Sequence, residues 1–299
     1  MLLFFRYLHP ILMHLMFRRI LFFFFLVSFV LLSFSCGSSH EEVSDKSKHH
    51  SEEIGPSEKI SLEALQADLE ELRTNSCLRG ADLGYQIVDF TKGAPKMLFE
   101  SNSKQGLIPA STQKILTTAA ALEIFGSPVY HEVTITNLNS VNWRANRMMQ
   151  KIGEHKYKKR DFFYGSKAVI EFWKAKGIDM EGSYICDGSG KSRNNIISPK
   201  QLTDILFKIT TSAIFPVFYN SLPLAGISGT MHKWLKGTVG EGRLRAKTGS
   251  LAGVRSYTGY VRSLNGKKLI FAIIVNNYTC STKSLKQRLE KTMVKMVEL

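Results

Sequence analysis

The stretch VRSYTGYVRSLNGKKLIFAIIVNN, Val254–Asn277, contains two runs rich in β-branched and aromatic residues with a polar segment between them. Asn265–Gly266 lies in that segment, and Asn-Gly is a preferred sequence for a tight hairpin turn. A second hairpin is predicted much earlier, where LGYQIVDF and PKMLFE flank Thr91–Ala94. We therefore expect one antiparallel sheet whose strands come from both ends of the chain.

Helices are predicted around the two hairpins, where apolar residues recur at helical spacing. The first begins with a serine in the N-cap position at Ser61, and another follows Ser111. Helices against an antiparallel sheet make an α+β fold. The predicted segments are Ser61–Arg73, the helix from Ser111 to Phe125, Ala168–Gly177, Ser198–Thr210 and Leu285–Leu299.

Residues 1–35 are typical of an export signal peptide, with three arginines, no acidic residue and an apolar run from Ile20 to Phe34. That run is short for a spanning helix of ~20 residues, although counting from further upstream would allow an uncleaved anchor. Cys36 follows a small residue and resembles the lipidated cysteine of bacterial lipoproteins, except that Ser33 stands where that box usually has an aliphatic residue. Lipidation at Cys36 and plain secretion or anchoring are therefore both considered.

Residues 36–60 are polar and lack an apolar period, so we interpret them as a flexible tether ahead of a domain at 61–299. Without the three arginines of the signal peptide, the net charge of +15 falls to +12. This charge favours anionic partners, and for an exported protein we expect cell-wall polymer or lipid head groups rather than nucleic acid. Three cysteines remain beyond Cys36; we expect buried thiols, with one bridge as the alternative. They are Cys77, Cys186 and Cys280.

Two motif-like stretches do not support metal or nucleotide chemistry. His131–Glu132 lacks the second histidine of a zinc-binding helix, and DGSGKS has Ile185 where a phosphate-binding loop needs glycine. We therefore predict neither a metal nor an organic cofactor.

The segment ASTQKILTTAAAL, Ala110–Leu122, places Ser111 and Lys114 three residues apart at the start of a helix. Residues at this spacing share a helix face, so the lysine amine can approach the serine hydroxyl. A lysine whose pKa is lowered by burial can act as the base that activates a serine nucleophile. The spacing alone is also compatible with an N-cap serine and a lysine whose amine reaches solvent.

Two later motifs favour the catalytic interpretation. Ser140 and Asn142 lie in a loop before a helix, and Lys247, Thr248 and Gly249 lead into a predicted strand. A glycine there lets a ligand backbone lie against the sheet edge, while the lysine and threonine can bind a carboxylate. The order is Ser-x-x-Lys, then Ser-x-Asn, then Lys-Thr-Gly.

In this order the three motifs resemble those of the D-alanyl-D-alanine carboxypeptidase/endopeptidase family of low-molecular-mass (class C) penicillin-binding proteins. The resemblance runs from about Leu65 to the C-terminus and implies the serine β-lactamase/DD-peptidase-like transpeptidase fold. It includes PASTQKILTTAAALEIFG (109–126), DGSGKSRNNIISPKQL (187–202), LPLAGISGTM (222–231) and LRAKTGSLAGV (244–254).

The resemblance implies an acyl-enzyme mechanism on peptidoglycan stem peptides that end in D-Ala-D-Ala. Ser111 would attack the carbonyl of the penultimate D-Ala, and Lys114 would accept its proton. Ser140 would relay a proton to the departing D-Ala. β-Lactams would acylate the same serine.

The resemblance also implies how the substrate is held. Asn142 would bind the substrate amide and Lys114, while Lys247 and Thr248 would bind the terminal carboxylate beside Gly249. The backbone amides of Ser111 and Ser250 would form the oxyanion hole.

The chain departs from the family pattern between the first two motifs. The family carries large inserted domains there, whereas Ile115–Asn139 spans only 25 residues. We therefore expect part of the wall of the substrate-binding groove to be missing. We predict a strand at 129–138. Lys191 stands where the family usually has leucine. A Glu-x-x-x-Asn motif, which carries the glutamate that speeds deacylation in one type of β-lactamase, is not found. We expect slow β-lactam hydrolysis, and either an active compact D,D-peptidase or a degenerate relative that binds without turnover.

Overall fold

The computed structural model describes residues 55–299. The predicted signal peptide, Cys36 and nearly all of the predicted tether lie outside these residues. Within the described part of the chain, no helix combines the length and apolar character needed to cross a membrane.

The described residues form one five-stranded sheet with helices on both faces. The helices are α1 (Pro56–Thr74), α2 (Lys114–Phe125), α3 (Tyr130–Asn139), α4 (Asn142–Tyr157), α5 (Phe162–Ala175), α6 (Pro199–Thr210), α7 (Phe215–Ser221) and α8 (Thr282–Glu298). The strands are β1 (Asp82–Asp89), β2 (Lys96–Ser101), β3 (Leu244–Leu251), β4 (Val254–Arg262) and β5 (Lys268–Asn276).

The strand order is β2-β1-β5-β4-β3, and every neighbouring pair is antiparallel. The two predicted hairpins meet in the centre, where Ile273 of β5 lies opposite both Tyr85 of β1 and Tyr257 of β4. The α+β fold class with an antiparallel sheet is therefore confirmed.

Strand β5 is buried on both faces, which explains its continuous apolar sequence. Ile270, Ala272 and Ile274 belong to a core that includes buried residues of α2, α4 and α6. The residues of β5 that alternate with these three point to the opposite face and pack into a second core that includes buried leucines of α1 and α8. This second set is Leu269, Phe271, Ile273 and Val275.

Helices α1 and α8 are joined by a buried ion pair and, just beyond their ends, by a disulfide. Arg288 Nη1 lies 3.1 Å from Asp68 Oδ2, and both side chains are buried. Cys77 and Cys280 form a disulfide, which corrects the expectation of buried thiols for these two residues. Cys186 is a free, half-buried thiol.

Some predicted bounds and one predicted element type are wrong; the helix predicted at Ala168–Gly177, for example, begins at Phe162. Helix α1 begins at Pro56, a favourable first helical residue, so Ser61 lies inside the helix and donates its hydroxyl to Ser57 O. The residues predicted as a strand, 129–138, lie mostly in helix α3. Burial follows a helical period there, at Val133, Thr136 and Asn137, and this tertiary packing outweighs the β-branched composition.

Candidate active site

Ser111 lies in a 3₁₀ turn, Ala110–Gln113, that continues directly into α2 at Lys114. The Lys114 side chain folds back along this turn, and its Nζ lies 2.9 Å from Ser111 Oγ. Ala110 has a φ of 47°, a left-handed conformation that few non-glycine residues adopt. The predicted approach of the amine to the hydroxyl is therefore present.

Lys114 is completely buried, and its Nζ has two further partners. The nitrogen lies 2.8 Å from Asn142 Oδ1 at the start of α4 and 2.7 Å from the carbonyl oxygen of Ser189. Burial lowers the pKa of Lys114 to about 7, while the negative charge of Asp187 acts in the opposite direction. Near neutral pH a large fraction of this amine is uncharged.

The two oxygen partners determine where the lone pair of the neutral amine points. A neutral lysine amine has two N–H bonds and one lone pair, and the oxygens of Asn142 and Ser189 can only accept. Both N–H bonds are therefore donated to them, and the lone pair remains for the hydroxyl proton of Ser111. This is the arrangement that a base needs beside a nucleophile.

Strand β3 brings the third motif next to Ser111. A Cβ placed on Gly249 would lie 2.7 Å from Pro109 O and 3.0 Å from Ser111 N, so only glycine allows this approach. The same strand carries Lys247, Thr248 and, in an exposed position, Ser250. All four predicted residues of this motif therefore lie on the strand that adjoins Ser111.

Lys247 is completely buried, and its Nζ donates a hydrogen bond to Thr248 O at 3.0 Å. Burial, together with the positive charge of Lys114, holds the pKa of Lys247 well below its usual value. The hydroxyl of Thr248 donates to Thr230 Oγ1 at 2.9 Å. An arriving carboxylate would supply the counter-charge that Lys247 lacks among these contacts.

The turn between α3 and α4 brings the side chain of Asn142, but not that of Ser140, into contact with Lys114. Ser140 ends α3 in a left-handed conformation, with a φ of 57°, and Asn142 two residues later reaches Lys114. The half-buried Ser140 side chain makes no hydrogen bond to any residue in the range 55–299. The structure thus joins Asn142, but not Ser140, to the Ser111–Lys114 pair by hydrogen bonds.

The carbonyl of Ser189 is a site component that sequence reasoning missed. It belongs to the segment DGSGKS (187–192), which does not fit a phosphate-binding loop and is part of the family resemblance, but for which no site residue was predicted. Gly190 has a φ of 80°, and a Cβ on it would lie 1.8 Å from Ala110 O. Glycine is therefore needed for this segment to pass the nucleophile turn, and the paired glycines of DGSG were the available signal.

The described residues 55–299 contain no group of three or more histidine, cysteine, aspartate or glutamate side chains arranged to hold a metal ion.

Solved structures share this fold at low sequence identity. Penicillin-binding protein 4 (dacB) of Haemophilus influenzae, complexed with a β-lactam, superposes with a TM-score of 0.67 at 14% identity, covering 79% of this chain and 98% of that chain. The TLA-1 extended-spectrum β-lactamase superposes with a TM-score of 0.62 at 16% identity, covering 80% and 98%. The predicted β-lactamase/DD-peptidase-like fold is confirmed.

Curated relatives match only part of the chain and a smaller part of their own length. A D-alanyl-D-alanine carboxypeptidase of Actinomadura sp. (strain R39) is 31% identical over 145 residues, which is 47% of this chain and 27% of the relative. The D-alanyl-D-alanine carboxypeptidase DacB of Haemophilus influenzae is 30% identical over 144 residues, 47% and 30% of the two chains. The matched region thus spans less than a third of either relative.

The family model of the D-Ala-D-Ala carboxypeptidase 3 (S13) family matches residues 65–137 and 127–298. The two matched segments meet between Ser111 and Ser140, where the sequence lacks the usual inserted domains. Together the segments cover well over half of the chain and include all three motifs, and the chain therefore belongs to the D-Ala-D-Ala carboxypeptidase 3 (S13) family.

Proposed function

We propose that this protein is a serine D-Ala-D-Ala carboxypeptidase that acts on peptidoglycan stem peptides through an acyl-enzyme on Ser111. The observation that carries the proposal is the buried Lys114 amine, 2.9 Å from Ser111 Oγ, with a pKa lowered to about 7. A neutral amine in this position can accept the serine proton at physiological pH, which activates the hydroxyl for attack.

In the proposed reaction, Ser111 Oγ attacks the carbonyl carbon of the penultimate D-Ala while its proton passes to Lys114. The C–N bond to the terminal D-Ala then breaks, and the leaving amine takes up a proton. We assign the delivery of that proton to Ser140, whose hydroxyl would join Lys114 once substrate is bound. Water then hydrolyses the ester and restores the free serine.

Strand β3 would orient the substrate. The terminal carboxylate would bind Lys247 and Thr248, and its charge would return Lys247 to the ammonium form. The backbone amides of Ser111 and Ser250 would stabilise the oxyanion, with each such donor contributing about 3 kcal/mol to the transition state. Endopeptidase activity uses the same steps and requires only that the groove accept a longer leaving group.

A second candidate function is binding of penicillin or cell wall without turnover. It is favoured by one observation, that the Ser140 side chain makes no hydrogen bond within residues 55–299 while Asn142 does. A relative in which the proton relay is not assembled would form an acyl-enzyme slowly or would only bind.

The two candidates are separated by labelling and turnover measurements on purified protein. We expect fluorescent penicillin to label Ser111 covalently and a D-Ala-D-Ala peptide to release D-Ala; Ser111→Ala should abolish both. Ser61→Ala is the matched control, because that hydroxyl bonds only to Ser57 O within α1. Labelling without D-Ala release would favour the binding function. Absence of label on the wild type would overturn the proposal that the protein is an enzyme.

We further propose that the protein is exported and attached to the cell envelope by a lipid on Cys36. The proposal is supported by the basic and apolar residues 1–35 and by the net charge of +12 that remains without them, which suits anionic envelope surfaces. Cys36→Ser should move the protein from the membrane fraction to the soluble fraction and remove incorporation of labelled fatty acid. Unchanged fractionation of this variant would contradict the lipid anchor.

A further inference from the structure

We propose that Asp187 is the positioning residue of the general base: it aims the Ser189 carbonyl at Lys114 and fixes the direction of the amine's lone pair. The proposal rests on the proposed function in one respect, namely that Lys114 is the base.

The carboxylate of Asp187 is the centre of the segment 187–192. Its Oδ1 accepts hydrogen bonds from the backbone N–H groups of Ser189 at 2.8 Å and Gly190 at 2.6 Å. The Ser189 hydroxyl donates to the same oxygen at 2.9 Å, and Oδ2 accepts from Ser192 N at 2.7 Å. One side chain thus determines the path of the loop that passes Lys114.

Asp187 and Lys114 lie at opposite ends of a single peptide unit. The carbonyl of Ser189 and the N–H of Gly190 belong to the same planar peptide, and in a trans peptide they point in opposite directions. The N–H is bound to Asp187 Oδ1 at 2.6 Å and the carbonyl oxygen lies 2.7 Å from Lys114 Nζ. Rotation of this peptide would break both contacts together.

The loop is also held from the side of α2. The hydroxyl of Thr117, one turn beyond Lys114, donates to Gly188 O at 2.9 Å. The peptide that contacts Lys114 is therefore fixed between the helix that carries the base and the Asp187 carboxylate. A carbonyl fixed in this way costs no rearrangement when the base accepts its proton.

Asp187 also acts on the base through its charge. Burial raises the pKa of the Asp187 carboxyl, but the N–H and O–H groups that bind it, with Ser192 N first, lower the pKa overall. The carboxylate therefore stays ionised near neutral pH and opposes the effect of burial on Lys114. Among the described residues, Lys247 on β3 is a second titratable group that interacts with Lys114, whose positive charge lowers the pKa of Lys247.

Two substitutions separate the charge of Asp187 from its geometry. Asp187→Asn keeps an oxygen for the Ser189 and Gly190 N–H groups but removes the charge, whereas Asp187→Glu keeps the charge and displaces it by one methylene. Asp179→Asn is the matched control, because Asp179 likewise accepts a backbone N–H two residues on, from Glu181 at 2.9 Å, and has no contact with the site. Each variant is measured for the pH dependence of acylation by a chromogenic β-lactam.

For Asp187→Asn we expect the acidic limb of the normalised acylation profile to move to lower pH by ~0.5 or more, since a stabilising negative charge is lost from beside the ammonium form. For Asp187→Glu we expect the limb to stay in place and the acylation rate constant to fall ~10-fold or more, because the carbonyl is displaced. Asp179→Asn should match the wild type in both respects.

A second measurement does not depend on turnover. The ¹³Cε resonance of Lys114, assigned by its absence in Lys114→Met, is titrated in each folded variant, and its midpoint should fall below about 7 in Asp187→Asn. Thermal unfolding of each variant checks that it is folded.

The results decide between the proposals. An unchanged acylation rate constant in a folded Asp187→Glu protein would overturn the positioning role, and an unchanged Lys114 midpoint in a folded Asp187→Asn protein would overturn the effect of its charge. Loss of folding in both Asp187 variants would also overturn the positioning role, by showing that the residue acts on stability. A third outcome is that penicillin does not label the wild type but the Lys114 midpoint still moves in Asp187→Asn. This outcome would overturn the proposed function and retain the electrostatic part of this inference.

Discussion

Lys114 and Lys247 are both completely buried, and the positive charge of Lys114 helps to lower the pKa of Lys247. They come from α2 and from β3, which lie on either side of the Ser111 turn. Because the two amines interact electrostatically, two ammonium groups would repel each other, and the free site favours at least one neutral amine. In the proposed reaction, a substrate carboxylate would change this balance in favour of Lys247 as the cation and Lys114 as the base.

The first prediction concerns the pH dependence of acylation. Because Lys114 must be neutral to accept a proton, the acylation rate constant of the wild type should rise as pH increases through about 7 and level off above it. Stopped-flow acylation with a chromogenic β-lactam measures this directly. Lys114→Arg should be inactive at every pH tested, since guanidinium stays protonated; a flat wild-type profile would contradict the assigned base.

The second prediction concerns Lys247. Replacement by methionine removes the cation but keeps the buried volume, so KM for a D-Ala-D-Ala peptide should rise ~10- to 100-fold through loss of the charged contact to the carboxylate. The free protein should remain folded, because methionine suits a buried position better than an uncompensated amine. Thr248→Val is the companion variant, with a smaller rise in KM expected. An unchanged KM in Lys247→Met would exclude the proposed carboxylate site.

The third prediction follows from the same two lysines and concerns stability. Their pKa values are lowered in the folded protein, so the unfolded chain binds more protons between pH 7 and 10. The free energy of unfolding should therefore rise with pH in this window, by up to about 1.4 kcal/mol per pH unit for each lysine. Denaturant titrations at several pH values test this. The slope of the free energy of unfolding against pH should become smaller in Lys247→Met. A slope equal to that of the wild type would indicate that Lys247 is not buried in solution.

The fourth prediction concerns Gly249. An alanine there would place its Cβ against Pro109 O and Ser111 N, so β3 must move away from the nucleophile. We expect Gly249→Ala to lose ~1–3 kcal/mol of stability and most of its acylation rate. Gly55→Ala is the control, since no atom of residues 55–299 lies within 4 Å of a Cβ at that position. Full acylation by a folded Gly249→Ala protein would show that the close approach is not required.

The fifth prediction concerns the disulfide, whose cysteines are 203 residues apart in sequence. Replacing Cys77 and Cys280 together by serine should lower stability by ~2–5 kcal/mol, because the unfolded chain is no longer cross-linked. The acylation rate of the folded double variant should match the wild type, as the bridge lies by the core of α1 and α8. Cys186→Ser should leave stability unchanged. If Cys186→Ser loses as much stability as the double variant, the disulfide is not the cause of the loss.

Local patterns predicted much of this molecule. The alternating runs at β1 and β2 and the runs of β-branched and aromatic residues at β4 and β5 were correctly predicted as strands. Strands β1, β4 and β5 are buried on both faces, whereas the edge strand β2 has only exposed and half-buried residues. The spacing of Ser111 and Lys114 correctly predicted that their side chains meet. The pattern failed at 129–138, where a β-branched run became α3 through burial of Val133 and Asn137. It also failed at Ser61, which a preceding proline moved into the interior of α1.

The sequence by itself determined the fold class, the order of the three motifs and the candidate nucleophile and base, because the patterns and the family resemblance that indicate them depend on residue type and short-range spacing. Only the tertiary structure decided which partners the base has. The carbonyl of Ser189 and the carboxylate of Asp187 lie in a loop far along the chain, and a backbone oxygen carries no signature in the sequence. Its direction depends on a peptide orientation that the assembled loop, sheet and helix determine together.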